Sequence, residues 1–333
     1  MTAANGTIQT IQLLNPAGYH VKGSFSKDKT SWTTAEVLGY GKKYSLTGTA
    51  KGTDGKAVPI SGSYTVIKPS KQPRTTVYPT DGMTVGVAMP VEVKFPDVTP
   101  QDRALIEKHV SITTTPKVEG AWGWIHHNDG VWGLDFRTRN YWPENTKVHV
   151  SANVYGLKFA AGAYGKSDVS SDFTIGRNQV VYADAATFKI VVKQDGKVTQ
   201  TYPASYGLNA DGRQTHSGIH VVSDIQPKTF MKSEPNSPYP PYQGWEYWTV
   251  RISSNGEFIH AQPGTLAEQG NANVSHGCIN LSTANAKAYY QTAMLGDPVE
   301  VTGTSAKLSP SDGDVFDWTI PWNEWLGLSA LRN

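Results

Sequence analysis

A single cysteine, Cys278, stands among 333 residues, so no intramolecular disulfide can staple the chain and the thiol has value only in packing or in reactivity. No apolar run is long enough for a membrane-spanning helix. Charge is scarce and balanced: 17% of residues are charged and the formal net charge is +2, with Lys and Arg scattered, so no basic field argues for nucleic acid. The opening Met1-Thr2-Ala3-Ala4-Asn5-Gly6 lacks the basic and apolar regions of a secretory signal, which taken alone points to the cytoplasm. What the chain does hold is 16 Tyr, 10 Trp and 32 Gly, a composition that suits a β-rich protein with aromatic-lined surfaces rather than a disulfide-built one. Its length predicts two or three domains.

Residues 7 to 68 read as short alternating strands, Thr7–Leu14, Tyr19–Ser24, Tyr44–Ala50 and Ser63–Ile67, broken by Gly, Asn and Asp turns, as in a small antiparallel sandwich. The polar, Pro-containing stretch Lys68–Arg74 marks a boundary. From Thr75 to Ile175 the theme repeats with Val91–Phe95, Val131–Phe136, Lys147–Val154 and Asp172–Ile175, and one helical turn is predicted at Pro100–His109. Trp122, Trp124, Trp132, Tyr141 and Trp142 offer a sugar-stacking platform or a sandwich core, and the core is the plainer reading. His126-His127 reads as a solvated turn before Asn128-Asp129-Gly130 rather than a metal site.

Beyond Gly176 the strands Gln179–Asp184, Thr187–Lys193 and Val198–Ser205 follow, the last two joined through Asp195-Gly196, a hairpin signal. Phe230–Trp245, rich in Pro and Tyr, reads as too polar for a strand and as a long functional loop. Trp248–Ile252 and Glu257–His260 are strands, Ser282 caps a helix predicted to run to about Leu295 with Gly296 ending it, and Val299–Thr302 closes the sheet. The Trp-dense tail Asp317–Trp325 is expected to pack back on an earlier domain.

The stretch Val274-Ser275-His276-Gly277-Cys278-Ile279-Asn280-Leu281 gives the thiol polar company, which favours a thiolate over a core residue, and Gly256-Glu257-Phe258-Ile259-His260 delivers a second histidine at a strand end. Cys plus His is the minimum for an activated sulfur nucleophile. The competing reading gathers His216, His220, His260, His276 and Cys278 around zinc, but the first two sit in a strand where their spacing does not require them to meet.

A histidine, a loop, then Ser275-His276-Gly277-Cys278-x-Asn280 resembles the signature of the L,D-transpeptidases of bacterial cell walls. Thr215-His216-Ser217-Gly218-Ile219-His220 resembles the Thr-Pro-x-Gly-x-Tyr segment of that family, with His216 where Pro is usual, and Arg137–Pro143 resembles a segment of the immunoglobulin-like modules that precede actinobacterial members. The resemblance implies a mainly β protein: immunoglobulin-like β-sandwiches over residues 1–70 and 71–176, a YkuD-type catalytic domain over 177–303 and a C-terminal subdomain over 304–333. It implies catalysis by Cys278 with His260 as base, oriented by the carbonyl of Ala261, where many relatives carry Ser. His276 is either the base instead or a structural residue of the oxyanion pocket, for which Gly277 and Cys278 would supply N–H groups.

Tyr242, as a lid tyrosine, with Trp248, Ala261, Ser275 and Asn280, is implied at the substrate, and Asn280 is expected to orient the loop. The implied partners are a donor tetrapeptide stem, an acceptor amine and carbapenem-type β-lactams as covalent mimics, with no cofactor, no catalytic metal and no nucleic acid. The implied reaction forms 3→3 cross-links in peptidoglycan. An L,D-carboxypeptidase and a catalytically dead wall-binding module stay open. The same resemblance places the protein in the cell envelope and leads to the expectation of a trimmed leader or membrane anchor.

Overall fold

The computed structural model describes residues 1–210, 212–233 and 242–332. It divides into two compact units, one formed by Met1–Gln72 with Gly162–Tyr164 and the other by the rest of the chain from Pro73. In the first unit the antiparallel strands Gly6–Leu14, Lys43–Gly52 and Ala57–Thr65 form a sheet, and Gly23–Phe25 pairs with Trp32–Thr34. Ile8, Leu13, Val21, Trp32 and Tyr44 make its small core. The strand predicted over Tyr19–Ser24 is cut back to Gly23–Phe25: Asn15 Oδ1 accepts the N–H groups of Ala17 and Tyr19 at 2.9 and 3.0 Å, a local turn that competes with pairing.

The second unit opens with a sandwich of two four-stranded sheets. One holds Gly120–His126, Trp132–Thr138, Val91–Phe95 and Thr76–Tyr78; the other holds Thr84–Val85, Val169–Ile175, Lys147–Ala152 and Val110–Thr115. Alternate residues Val91, Val93 and Phe95 point inward to meet Leu134, Phe136, Val148, Val150 and Phe173. Trp124 and Trp142 fill this core, and Trp142 Nε1–H reaches Met89 O at 2.8 Å. The expected helical turn is a short 3₁₀ segment, Pro100–Asp102, running into Arg103–Glu107.

His127 corrects the solvated-turn reading. His126 is exposed and packs on Trp132, whereas His127 is buried against Asp135, with its ring 6.0 Å from Phe316 of the tail. That cover comes from residues nearly two hundred positions away. The tail closes over the sandwich: Trp325 is fully buried with Ile125 and Phe316, donates Nε1–H to Ala121 O at 2.9 Å, and Arg137 lies over the Trp318, Trp322 and Trp325 rings.

Two further sheets follow in the same unit. The five-stranded sheet runs Lys197–Pro203, Lys189–Gln194, Gln179–Asp184, Pro298–Thr302, Gly218–Val221, and the four-stranded sheet runs Asp224–Lys232, Gln243–Arg251, Phe258–Ala261, Ile279–Leu281. Asp195 and Gly196 both have positive φ, 52° and 74°, as the two-residue hairpin requires. Val181, Ile190, Tyr206, Val250, Ile259, Ile279, Leu281 and Tyr289 share one core with the helix Thr283–Thr292.

Ser282 Oγ caps that helix by accepting Asn285 N–H at 3.2 Å. The helix stops at Thr292, short of Leu295, because Arg177 takes the Thr292 carbonyl and the Asp297 carboxylate takes Met294 N–H at 2.9 Å. Phe230–Trp245 is also corrected. Its flanks are strand, with Phe230 paired to Trp245 and Lys232 to Gln243; the Phe230 and Trp245 rings lie 5.4 Å apart and Lys228 sits over Trp245. The rest of that predicted lid, residues 234–241, lies outside the described residues.

Candidate active site

The strand Phe258–Ala261 runs parallel to Ile279–Leu281, with His260 opposite Asn280, so Cys278 enters beside the histidine as the residue just before its strand. Gly277, at φ 131°, makes the turn, a conformation that costs glycine little. The turn is pinned by side chains. Ser275 Oγ–H donates to Cys278 O at 2.6 Å while its oxygen accepts Gly277 N–H at 3.1 Å. Thr215 Oγ1–H donates to Gly277 O at 2.8 Å and accepts Gly207 N–H at 2.9 Å. Main-chain bonds from Ser275 N–H to Tyr206 O and from Leu208 N–H to Ser275 O, both 3.0 Å, tie the loop to the neighbouring segment. The expectation that Gly277 N–H serves an oxyanion is corrected, since Ser275 already engages it.

Cys278 is half-buried, with Sγ 3.5 Å from Gly256 O. His260 is buried, and its Nδ1 lies 3.0 Å from Ala261 O and 3.3 Å from Glu246 Oε2. With Nδ1 so held as a donor, Nε2 is the nitrogen left for the sulfur, which hydrogen-bonds this ring. Burial pushes the imidazole toward neutrality, but the Cys278 sulfur and the Glu246 carboxylate outweigh it and raise its pKa to about 10. His276, by contrast, is exposed and sits 5.2 Å from the Tyr242 ring; burial and the Arg213 charge hold its pKa below the usual histidine value.

Met231, Tyr242, Gly244, Glu246, His260 and Cys278 line a cleft of about 360 Å³, with Val274, Ser275, His276 and Asn280 on its wall. Asn280 anchors the floor: its main chain pairs with Ser205 and its Nδ2 reaches Thr265 Oγ1 at 3.4 Å. Three of the residues implied at the substrate do other work. Trp248, at φ 54°, turns its ring onto Tyr290, 5.2 Å away, under Lys287, and does not line the cleft. Ala261 is buried and offers its carbonyl to His260. Ser275 spends its hydroxyl on the turn.

The zinc reading around Cys278 is not what the histidines do. His216 Nδ1 pairs with Glu257 Oε1 at 2.8 Å, and the fully buried His220 bonds His216 O at 2.8 Å and lies 3.7 Å from Glu257. Glu246, Thr215 and Glu257 carry parts of the site that the sequence reading did not assign. Thr215 and Glu257 lay in stretches already singled out, and Glu246 did not.

Comparison with known proteins gives the family. Residues 178–301 match the L,D-transpeptidase catalytic domain family, and residues 1–158 match the bacterial Ig domain family. The chain is 45% identical to L,D-transpeptidase 5 of Mycobacterium tuberculosis, over 98% of this chain and 72% of that protein. It is 35% identical to L,D-transpeptidase 2 of the same organism, over 98% and 79%. Among solved structures, an L,D-transpeptidase in complex with imipenem is 31% identical at a TM-score of 0.57, covering 69% of this chain and 99% of that one. L,D-transpeptidase 3 of M. tuberculosis with a faropenem-derived adduct is 29% identical at a TM-score of 0.54, over 68% and 97%.

Proposed function

The chain belongs to the L,D-transpeptidase family, and from that premise we propose that it forms 3→3 cross-links in peptidoglycan through a thioester on Cys278. The observation that carries the proposal is the pairing of the only thiol with a buried imidazole fixed from behind by Ala261 O and Glu246. Such a pair is the activated nucleophile of acyl transfer. The Cys278 thiolate attacks the carbonyl of the amide that joins the L-centre to the D-centre of a tetrapeptide stem. The bond to D-Ala breaks, and the protonated His260 supplies the proton that the departing amine needs.

An amine of a second stem then attacks the thioester, gives its proton to His260 and regenerates the sulfur. The Cys278 N–H is the donor for the oxyanion in this reading, since Ser275 Oγ holds the Gly277 N–H. One such donor is worth roughly 3 kcal/mol in comparable sites. Carbapenem-type β-lactams acylate the same sulfur. The substrate places the enzyme outside the cytoplasm, in the cell envelope, and the segments 1–70, 71–176 and 304–333 serve as accessory modules.

Intact-mass analysis with a tetrapeptide stem tests the reading. A mass increase equal to the stem less D-Ala on wild-type protein, absent from Cys278→Ala, with a cross-linked dimer in solution, is the expected result. Release of tripeptide alone would instead make the enzyme a carboxypeptidase, and no adduct on wild type would overturn the acyl-enzyme altogether.

A further inference from the structure

The second sandwich carries a cluster of metal-ligating side chains that the transpeptidase chemistry does not use. Asp135 and Glu92 are directly opposite on the paired strands Trp132–Thr138 and Val91–Phe95, so their side chains share one face. His127, in the turn before Trp132, lays Nε2 3.2 Å from both Asp135 carboxylate oxygens. One ligand atom from each of Glu92, His127 and Asp135 lies within 4.8 Å of the others, and among the described residues no other such group of three is found.

A second observation comes from far along the chain. Asp317, in the 3₁₀ turn of the tail, is 1% exposed, its Oδ1 has no hydrogen-bond donor among the described residues, and its charge interacts with those of Glu92, His127 and Asp135. Asp135, fully buried, likewise has no hydrogen bond to Oδ2 among the described residues, with His127 Nε2 close to that oxygen but not aligned to donate to it. Gly133 completes the cradle, because a Cβ there would sit 2.4 Å from His127 Nε2 and 2.5 Å from Asp135 Oδ1.

The cluster gathers Glu92, Asp129, Asp135 and Asp317 around Lys94, which is 2.6 Å from Asp129 and 3.8 Å from Glu92, and Arg137. Burial disfavours the charged forms of Glu92, Asp135 and Asp317, raising the pKa of Asp317 to about 8, so a proton or a cation must neutralise them. Burying unpaired carboxylates is costly unless they are neutralised or coordinate a metal. We propose that Glu92, His127 and Asp135 bind one divalent cation, and that this cation secures the face of the second sandwich that the tail covers. The mixed imidazole and carboxylate set favours Zn²⁺ over Ca²⁺, which prefers oxygen alone. Tetrahedral zinc with bonds of about 2.0–2.2 Å sets its ligand atoms roughly 3.4 Å apart, so from at most 4.8 Å the three side chains close in by no more than about 1.4 Å. The site is structural and separate from Cys278.

The test uses the full chain carrying Cys278→Ala, so that the thiol cannot compete for metal. Chelator-stripped protein is titrated with ZnCl₂ by calorimetry, and its melting temperature is followed with and without the ion. One equivalent of Zn²⁺ should bind and raise the melting temperature. His127→Gln should weaken binding at least a hundredfold and remove the thermal gain. Because that buried change may also perturb folding, Glu92→Gln at the rim is the second variant, and it should weaken Zn²⁺ at least tenfold in a protein whose circular dichroism is unchanged. Absence of Zn²⁺ binding, binding indifferent to both substitutions, or tighter binding of Ca²⁺ than of Zn²⁺ would each overturn the proposal and leave protons as the neutralising species.

Discussion

Replacing Glu246 by Gln probes how the enzyme keeps its histidine charged. The substitution preserves shape and hydrogen-bonding reach but removes a negative charge 3.3 Å from His260 Nδ1. Two unit charges at that distance attract by about 5 kcal/mol at an effective dielectric constant of about 20. The Glu246 side chain is 24% exposed, so solvent and salt reduce this to roughly 1–3 kcal/mol. A carboxylate favours the protonated ring, so its loss lowers the pKa, by roughly one to two pH units on that energy. His260, raised to about 10 in the wild type, should therefore titrate near 8 to 9 in Glu246→Gln. The assay is the pH titration of His260 by NMR on histidine-labelled protein, with the Cys278 alkylation rate followed over the same range. An unchanged His260 titration in Glu246→Gln would refute the electrostatic role of Glu246, and a wild-type value near 6.5 would refute the charged ring itself.

His260→Gln should flatten the pH dependence of Cys278 alkylation and cost on the order of 10²–10⁴ in turnover, while His276→Gln should leave the alkylation profile near wild type; the reverse pattern would exchange their roles. Thr215→Val strips the donor from Gly277 O and the acceptor from Gly207 N–H, so denaturant unfolding should show a loss of about 1–3 kcal/mol, with turnover reduced as the turn loosens. A variant as stable as wild type would mean the turn holds without this hydroxyl. Trp325→Ala empties a fully buried site and breaks the bond to Ala121 O, at a cost of about 3–5 kcal/mol, and should lower the melting temperature by several degrees; an unchanged transition would show that the tail does not support the fold.

The chain alone was enough to single out Cys278 and His260, because a lone thiol in a Ser-His-Gly-Cys-x-Asn run and a histidine at the end of an apolar strand are local features. The strands Gly6–Leu14, Lys43–Gly52, Val91–Phe95, Trp132–Thr138, Lys147–Ala152 and Val169–Ile175 and the Asp195-Gly196 hairpin were legible for the same reason, since period-two alternation and turn chemistry act over a few residues, whereas Val110–Thr115 and Gly120–His126 were not read. Sidedness beyond an irregularity was not legible. Between Tyr247, opposite Ala261, and Val250, opposite Ile259, one extra residue enters the strand, and Trp248 takes φ 54° there. That bulge breaks the alternation, so Trp248 turns toward the helix while Glu246 lines the cleft, and no reading of strand parity recovers that. Nor does sequence show which N–H groups a loop uses internally, as Ser275 uses that of Gly277. His127 and Asp135 were decided by distance along the chain: their burial depends on Phe316 and Asp317, which only the returning tail brings over the sandwich. Local pattern sets which residues alternate and turn, whereas the tertiary structure sets which charges lose water together, and that depends on segments whose meeting no local pattern encodes.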